Sequence, residues 1–190
     1  MYQKYHTDAL VLGSRESGES DRVFALFTRD FGLVRARCSA VRKEKSRMRY
    51  ALQNYSRVQM SLVRGKRGWR AAGAIAVKSA SGDAHGIAAF ARIAELTMRL
   101  VQGQERNEYL FAALAETHDA LVREKVEAFA TIEIVGVARV LYALGYLSAE
   151  ALETTLFAHT AYAPEHVQEA EIMRDKLLSS INRAIADTHL

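Results

Sequence analysis

Cysteine and proline are almost missing from this 190-residue chain, which has one of each, Cys38 and Pro164. A single cysteine closes no internal disulfide. It also cannot supply the three or four thiolates of the common cysteine-rich zinc sites. No stretch approaches the ~20 consecutive apolar residues that a membrane-spanning helix needs. The start, Met1-Tyr2-Gln3-Lys4-Tyr5-His6-Thr7-Asp8, has no apolar core of a secretory leader, so a cytoplasmic protein is expected. The histidines (His6, His85, His118, His159, His166 and His189) show no metal-ligand spacing such as HExxH. Neither a Gly-x-Gly-x-x-Gly fingerprint nor a P-loop occurs, so no nucleotide cofactor is expected, and no metal. Internal repeats and low-complexity tracts are lacking too. What remains is 49% hydrophobic and 25% charged, the balance of one ordinary globular domain or two small ones.

Charge is unevenly placed. Residues 1–78 hold 17 Lys and Arg against 6 Asp and Glu, a balance of +11. Residues 79–190 hold 9 against 16, a balance of −7. Such polarity between halves points to a polyanion-binding part joined to an acidic part.

The period of the apolar pattern changes at the same place. Ala9–Leu12 and Val23–Thr28 are short apolar runs. Leu33–Val41 alternates, with Val34, Ala36, Cys38 and Ala40 on one side and Arg35, Arg37 and Ser39 on the other. Val58, Met60 and Leu62 alternate with Arg57, Gln59 and Ser61. The glycine-bounded Arg64-Gly65-Lys66-Arg67-Gly68 then turns into Trp69–Val77, a hairpin with a basic tip. About five short strands suit a small closed barrel such as an OB-fold. From Ser81-Gly82-Asp83 onward, apolar residues recur at helical steps. Asn107 starts a second helix, and Gly145 stops a third. Ser148 caps a short fourth, and Pro164 opens a last one, with Val167, Ile172, Leu177, Leu178, Ile181 and Ile185 as its buried stripe. The expected fold is α+β: a barrel over 1–78, then a helical bundle over 79–190.

The densest chemistry is Arg42-Lys43-Glu44-Lys45-Ser46-Arg47-Met48-Arg49, five cations in eight residues between two strands. Several cations along one groove are what a phosphate backbone requires. Arg35 and Arg37 extend the patch onto a strand face. Arg64, Lys66, Arg67 and Arg70 extend it from the hairpin if both loops lie on one side. Tyr50, Tyr55 and Trp69 are candidate stacking faces for bases, with core packing as the competing reading.

These pieces, in this order, resemble the N-terminal OB-fold of the RecO recombination mediators. The likeness runs through Ala9-Leu10-Val11-Leu12, Glu19-Ser20-Asp21, Phe27-Thr28, Phe31-Gly32-Leu33-Val34-Arg35, Arg42–Arg49 with Ser46, and Ala51-Leu52-Gln53 followed by Tyr55. Leu144-Gly145-Tyr146 is similar to the family's mid-chain helix terminus. Ser39-Ala40 stand where Lys-Gly is common, and Asn54 where Pro is usual. The chain also looks like a short form without the zinc-ribbon-like segment of many relatives. The resemblance implies a nucleoid-associated protein that binds single- and double-stranded DNA without sequence specificity. It also implies strand annealing and help in recombinase loading, with RecR and the acidic tail of single-stranded-DNA-binding protein as partners. Arg139 and Arg99 are the remaining candidates for that tail.

Other readings stand beside it. One is an RNA-binding barrel with an acidic helical adaptor; another is a protein adaptor whose basic face meets an acidic partner. The acidic bundle could also neutralise the basic barrel within the chain. Asp8, Glu16, Glu19, Asp21 and Asp30 suggest a magnesium-dependent nuclease only weakly. Glu19 and Asp21 read rather as orienting Arg22 or capping a turn. Cys38, on the apolar side of a strand, reads as a small buried hydrophobe. His118 reads as a core or boundary residue. No catalytic residue is expected.

Overall fold

The computed structural model describes residues 3–79 and 83–188. Ser81 and Gly82, read above as part of a helix start, lie outside them, as does His189. The chain divides into two compact units. One is Met1–Ser81 with Gln102–Glu108, and the other is Gly82–Val101 with Tyr109–Leu190.

The first unit is a closed five-stranded barrel with strand order β1-β2-β3-β5-β4. Its strands are β1 (Lys4–Ser17), β2 (Asp21–Thr28), β3 (Gly32–Cys38), β4 (Arg57–Gly65) and β5 (Gly68–Lys78). Closure depends on β1, which is long enough to serve two neighbours. Its first half pairs with β4, from Lys4↔Val63 to Leu10↔Arg57, and its second half with β2, from Ala9↔Thr28 to Ser17↔Asp21. A bulge between Val11 and Gly13 bends the strand where it changes partner. The last seam is short and parallel, Ala36↔Trp69 and Arg37↔Arg70.

Alternation fills the barrel. Val34, Ala36 and Cys38 of β3 point inward with Val58, Met60 and Leu62 of β4, against Val11, Phe24 and Leu26. Burial pushes the Cys38 thiol up to about 11, as suits a small buried hydrophobe. A short helix, α1 (Met48–Ala51), carries Met48 and Leu52 against one end of this core.

Trp69 departs from one expectation. It is 4% exposed, packs edge-on to Tyr5 and tilted to Phe31, and donates its indole N–H to Gln104 at 2.8 Å. A ring held in the core offers no face to a base. Its position opposite Ala36 makes it inward-facing. Tyr55 is half-buried with φ 67, whereas Tyr50 is 71% exposed. The strand expected over Leu33–Val41 ends at Cys38, because Ala40 turns the chain with φ 56.

Gly32 shows why the segment 102–108 belongs to this unit. Its φ is +60, and a Cβ there would lie 2.8 Å from the Glu105 carbonyl carbon and closer still to its oxygen. Only glycine admits both the backbone angle and the neighbour.

The second unit contains α2 (Ala84–Leu100), α3 (Glu108–Arg123), α4 (Phe129–Ala143), α5 (Ala149–Leu152), α6 (Pro164–Ile172) and α7 (Arg174–Asp187). Asp83 caps α2 by accepting the His85 amide at 2.7 Å. α4 ends in a Schellman turn. The Gly145 amide, at φ +80, donates to the Tyr142 carbonyl, and the Tyr146 amide to that of Leu141. Ser148 caps α5, and Pro164 occupies the first turn of α6. The single last helix expected from Pro164 is two. It breaks at Met173 (ψ 6), so Leu177 and Ile181 face inward while Ile172 is 80% exposed. His118 is buried at 2% exposure, with its ring edge-on to Phe90.

Arg139 is fully buried on α4 and is not available to an acidic peptide. Its guanidinium donates to the carbonyls of Thr160 (2.6 Å), Ala161 (3.1 Å) and Leu156 (3.2 and 3.3 Å), and lies 4.6 Å over the Tyr162 ring. It fastens the irregular stretch after α5 onto α4. Arg99 stays exposed in the last turn of α2.

Candidate nucleic-acid interface

The outer face of the barrel carries cations because the inner face is apolar and a strand alternates. On β3, Arg35 and Arg37 are the exposed residues between buried Val34, Ala36 and Cys38. Arg37 stands opposite Arg70 on β5, Arg70 opposite Val63 on β4, and Val63 opposite Lys4 on β1. Directly paired residues share a sheet face, so Arg37, Arg70 and Lys4 lie along one row across four strands. Lys4 joins the row only through register, which sequence alone does not give.

The basic loop is a chain of tight turns. The Lys43 amide donates to the Ala40 carbonyl, that of Ser46 to Lys43, and that of Arg49 to Ser46. The Arg42 amide donates to the Ser20 carbonyl, which ties the loop to the β1–β2 turn. Arg42, Lys43, Lys45, Arg47 and Arg49 are all exposed. Arg49 belongs to α1.

Two carboxylates organise the cations. Asp21 accepts from Arg37 Nε at 2.9 Å and lies 2.8 Å from its Nη2. It also accepts the Ala40 amide at 2.8 Å. These donors, the backbone amide first and Arg37 next, hold its carboxyl below the usual range. Glu16 lies 3.2 Å from Arg42 and 3.8 Å from Arg22. Of the early carboxylates, Asp8, Glu16 and Asp21 thus pair with arginines, while Asp30 accepts from the Thr7 hydroxyl at 2.6 Å. Among the described residues no group of three or more His, Cys, Asp or Glu could hold a metal ion.

Lys66 and Arg67 form the exposed hairpin tip between Gly65 and Gly68. Arg64 is exposed too, and its guanidinium lies 5.5 Å from the Trp69 ring centre. The parallel register puts this tip beside the start of β3, whereas the basic loop follows its end. The two therefore lie toward opposite ends of β3. Arg35, Arg37 and Arg70 occupy the outer face between them.

Two polar residues missed by sequence reasoning line a cleft of about 440 Å³, Arg22 and Gln53, with Arg42, Arg49, Phe24, Val41 and Leu52 around them. Arg22 sits at an inward register position opposite Cys38. A charge in the apolar phase of β2 was the available signal.

Among known proteins, residues 1–71 match the family model described as "Recombination protein O N terminal". The "DNA repair protein RecO" of Desulfitobacterium hafniense (strain DSM 10664 / DCB-2) is 48% identical over 62 residues, 33% of this chain and 23% of that protein. The protein of that name from Bifidobacterium animalis subsp. lactis (strain AD011) is 42% identical over 62 residues, 33% and 26% of the two chains. That from Myxococcus xanthus (strain DK1622) is 41% identical over 61 residues, 32% and 25%. The matched stretch spans about a quarter of the length of these relatives. All the strand and loop cations described above, from Lys4 to Arg70, fall inside 1–71, the stretch that is similar to the Recombination protein O N-terminal model.

Proposed function

We propose that this chain is a mediator of DNA repair and homologous recombination. It holds single- and double-stranded DNA by the phosphate backbone, without reading sequence, and promotes annealing of complementary strands. The observation that carries this reading is the outward row of Arg37, Arg70 and Lys4 continued by the exposed cations of the 42–49 loop. Arginine and lysine aimed outward from a rigid sheet meet phosphates rather than base edges, which positions a strand but carries no sequence information. Two backbones repel each other. A surface that neutralises several phosphates lowers that repulsion and lets two strands stay close while they pair. No bond is made or broken by the protein.

Within the same reading the chain assists recombinase loading beside a RecR-type partner and meets the acidic tail of single-stranded-DNA-binding protein. With Arg139 committed to internal carbonyls, the tail needs other cations, and exposed Arg99 is one.

Salt titration and annealing by the purified chain test this. Replacing Lys43, Lys45 and Arg47 together by Ala weakens binding to every sequence alike. It lowers the slope of log affinity against log salt by about 2 on single strands, at ~0.7 per lost contact. An unchanged slope, or tighter binding to RNA than to DNA of the same length, overturns it. Annealing measured with and without the tail peptide tests the partner.

A further inference from the structure

The geometry points to the cleft at the Ser17–Asp21 end of the barrel as a seat for one phosphate group, gated by Glu16. This rests on the nucleic-acid reading above and names where a backbone phosphate docks. The cleft is built from opposites. Its floor is the edge of the barrel core, Phe24, Val41 and Leu52, and its polar lining is Arg22, Arg42, Arg49 and Gln53. A volume of about 440 Å³ lies within the range of ligand clefts, roughly 300–1,000 Å³.

Arg22 is the residue that a purely structural account does not explain. It shares the inward phase of β2 with Phe24 and Leu26 but sits at the barrel mouth, where its side chain is 41% exposed. Its Nε is buried and has no hydrogen-bond partner. A buried donor left unmade is a cost with no return in the unliganded fold. Arg49 has no carboxylate partner among the described residues. Gln53 spends one amide hydrogen on the Arg49 carbonyl at 2.6 Å and has another to give. Three guanidiniums and the remaining amide hydrogen of Gln53 suit a tetrahedral oxyanion.

Among the described residues Glu16 is the acidic side chain ion-paired with these arginines, opposite Arg22 in register and closer to Arg42. It is more than half exposed, so it can swing out at little cost. It holds the place of the phosphate, and an arriving phosphodiester displaces it.

Three probes test the seat on the full chain: a fluorescent oligo-dT, the same oligomer with an uncharged methylphosphonate backbone, and inorganic phosphate. Arg22→Met keeps an aliphatic stem over Phe24 and removes the cation. It lowers oligo-dT affinity about tenfold and the salt slope by about 0.7, yet leaves methylphosphonate binding unchanged. Glu16→Gln, at an exposed position that does not endanger folding, tightens oligo-dT binding severalfold. Failure of Glu16→Gln to tighten binding overturns the gate, and unaltered affinity and slope in Arg22→Met overturn the seat. If the Lys43, Lys45 and Arg47 variant still loses affinity in that case, the general reading survives without it. If the native chain binds no oligo-dT, both fall. Inorganic phosphate binding that Arg22→Met abolishes, with oligo-dT affinity intact, overturns the backbone source in favour of a free phosphate.

Discussion

Asp21 grips Arg37 and the Ala40 amide at once, at 2.8–2.9 Å, so one carboxylate fixes both a cation of the outer row and the exit of the chain into the basic loop. The folded protein holds this carboxyl below its ordinary value of 3.8. A depressed carboxyl stabilises the fold fully above the unfolded value, and that contribution disappears as pH falls through the folded one. Asp21→Asn should therefore flatten the loss of stability on acidification below about pH 4. Acid melts followed by circular dichroism check it; parallel curves for native and variant contradict it.

Gly32 is expected to tolerate no side chain. Gly32→Ala combines a left-handed backbone with a collision at the Glu105 carbonyl, and should cost about 3 kcal/mol. Gly18, at φ +78 with nothing within 4 Å, is the control. Gly18→Ala should cost only about 1 kcal/mol. Urea denaturation of both variants separates the two effects.

Arg139→Met should destabilise the helical unit by about 3 kcal/mol, since one buried carbonyl and two part-buried ones lose their donor. Lysine has the charge but lacks the planar fork, and should rescue little. Thermal melting read by hydrogen exchange at 156–162 locates the loss.

Cys38 should react with iodoacetamide only when the barrel opens. It is fully buried, and its thiol is raised to about 11, so little thiolate exists at neutral pH. Labelling at pH 7 that matches a free thiol would contradict the packing.

The strands were legible because period-two alternation is written in the chain. Val34, Ala36 and Cys38 sit inward, and Arg35 and Arg37 outward, as their spacing requires. The helix signals at Asp83, Gly145, Ser148 and Pro164 were local and also readable. What escaped depends on partners distant in sequence. The buried role of Trp69 comes from Phe31 and Gln104, the fully buried Arg139 from carbonyls 17 or more residues away, and the Lys4 row from cross-strand register. The break at Met173 has no proline or glycine to announce it. Arg22 was not singled out as a site residue, although its charge in the apolar phase of β2 marks the barrel mouth.

The strap at 102–108 has a consequence for how the chain matures. Everything that pairs in the sheet has left the ribosome once Lys78 emerges, yet the indole of Trp69 still waits for Gln104, and Gly32 for Glu105. The barrel is therefore sealed only after the first long helix has been synthesised, and a fragment ending at β5 would leave that corner uncovered.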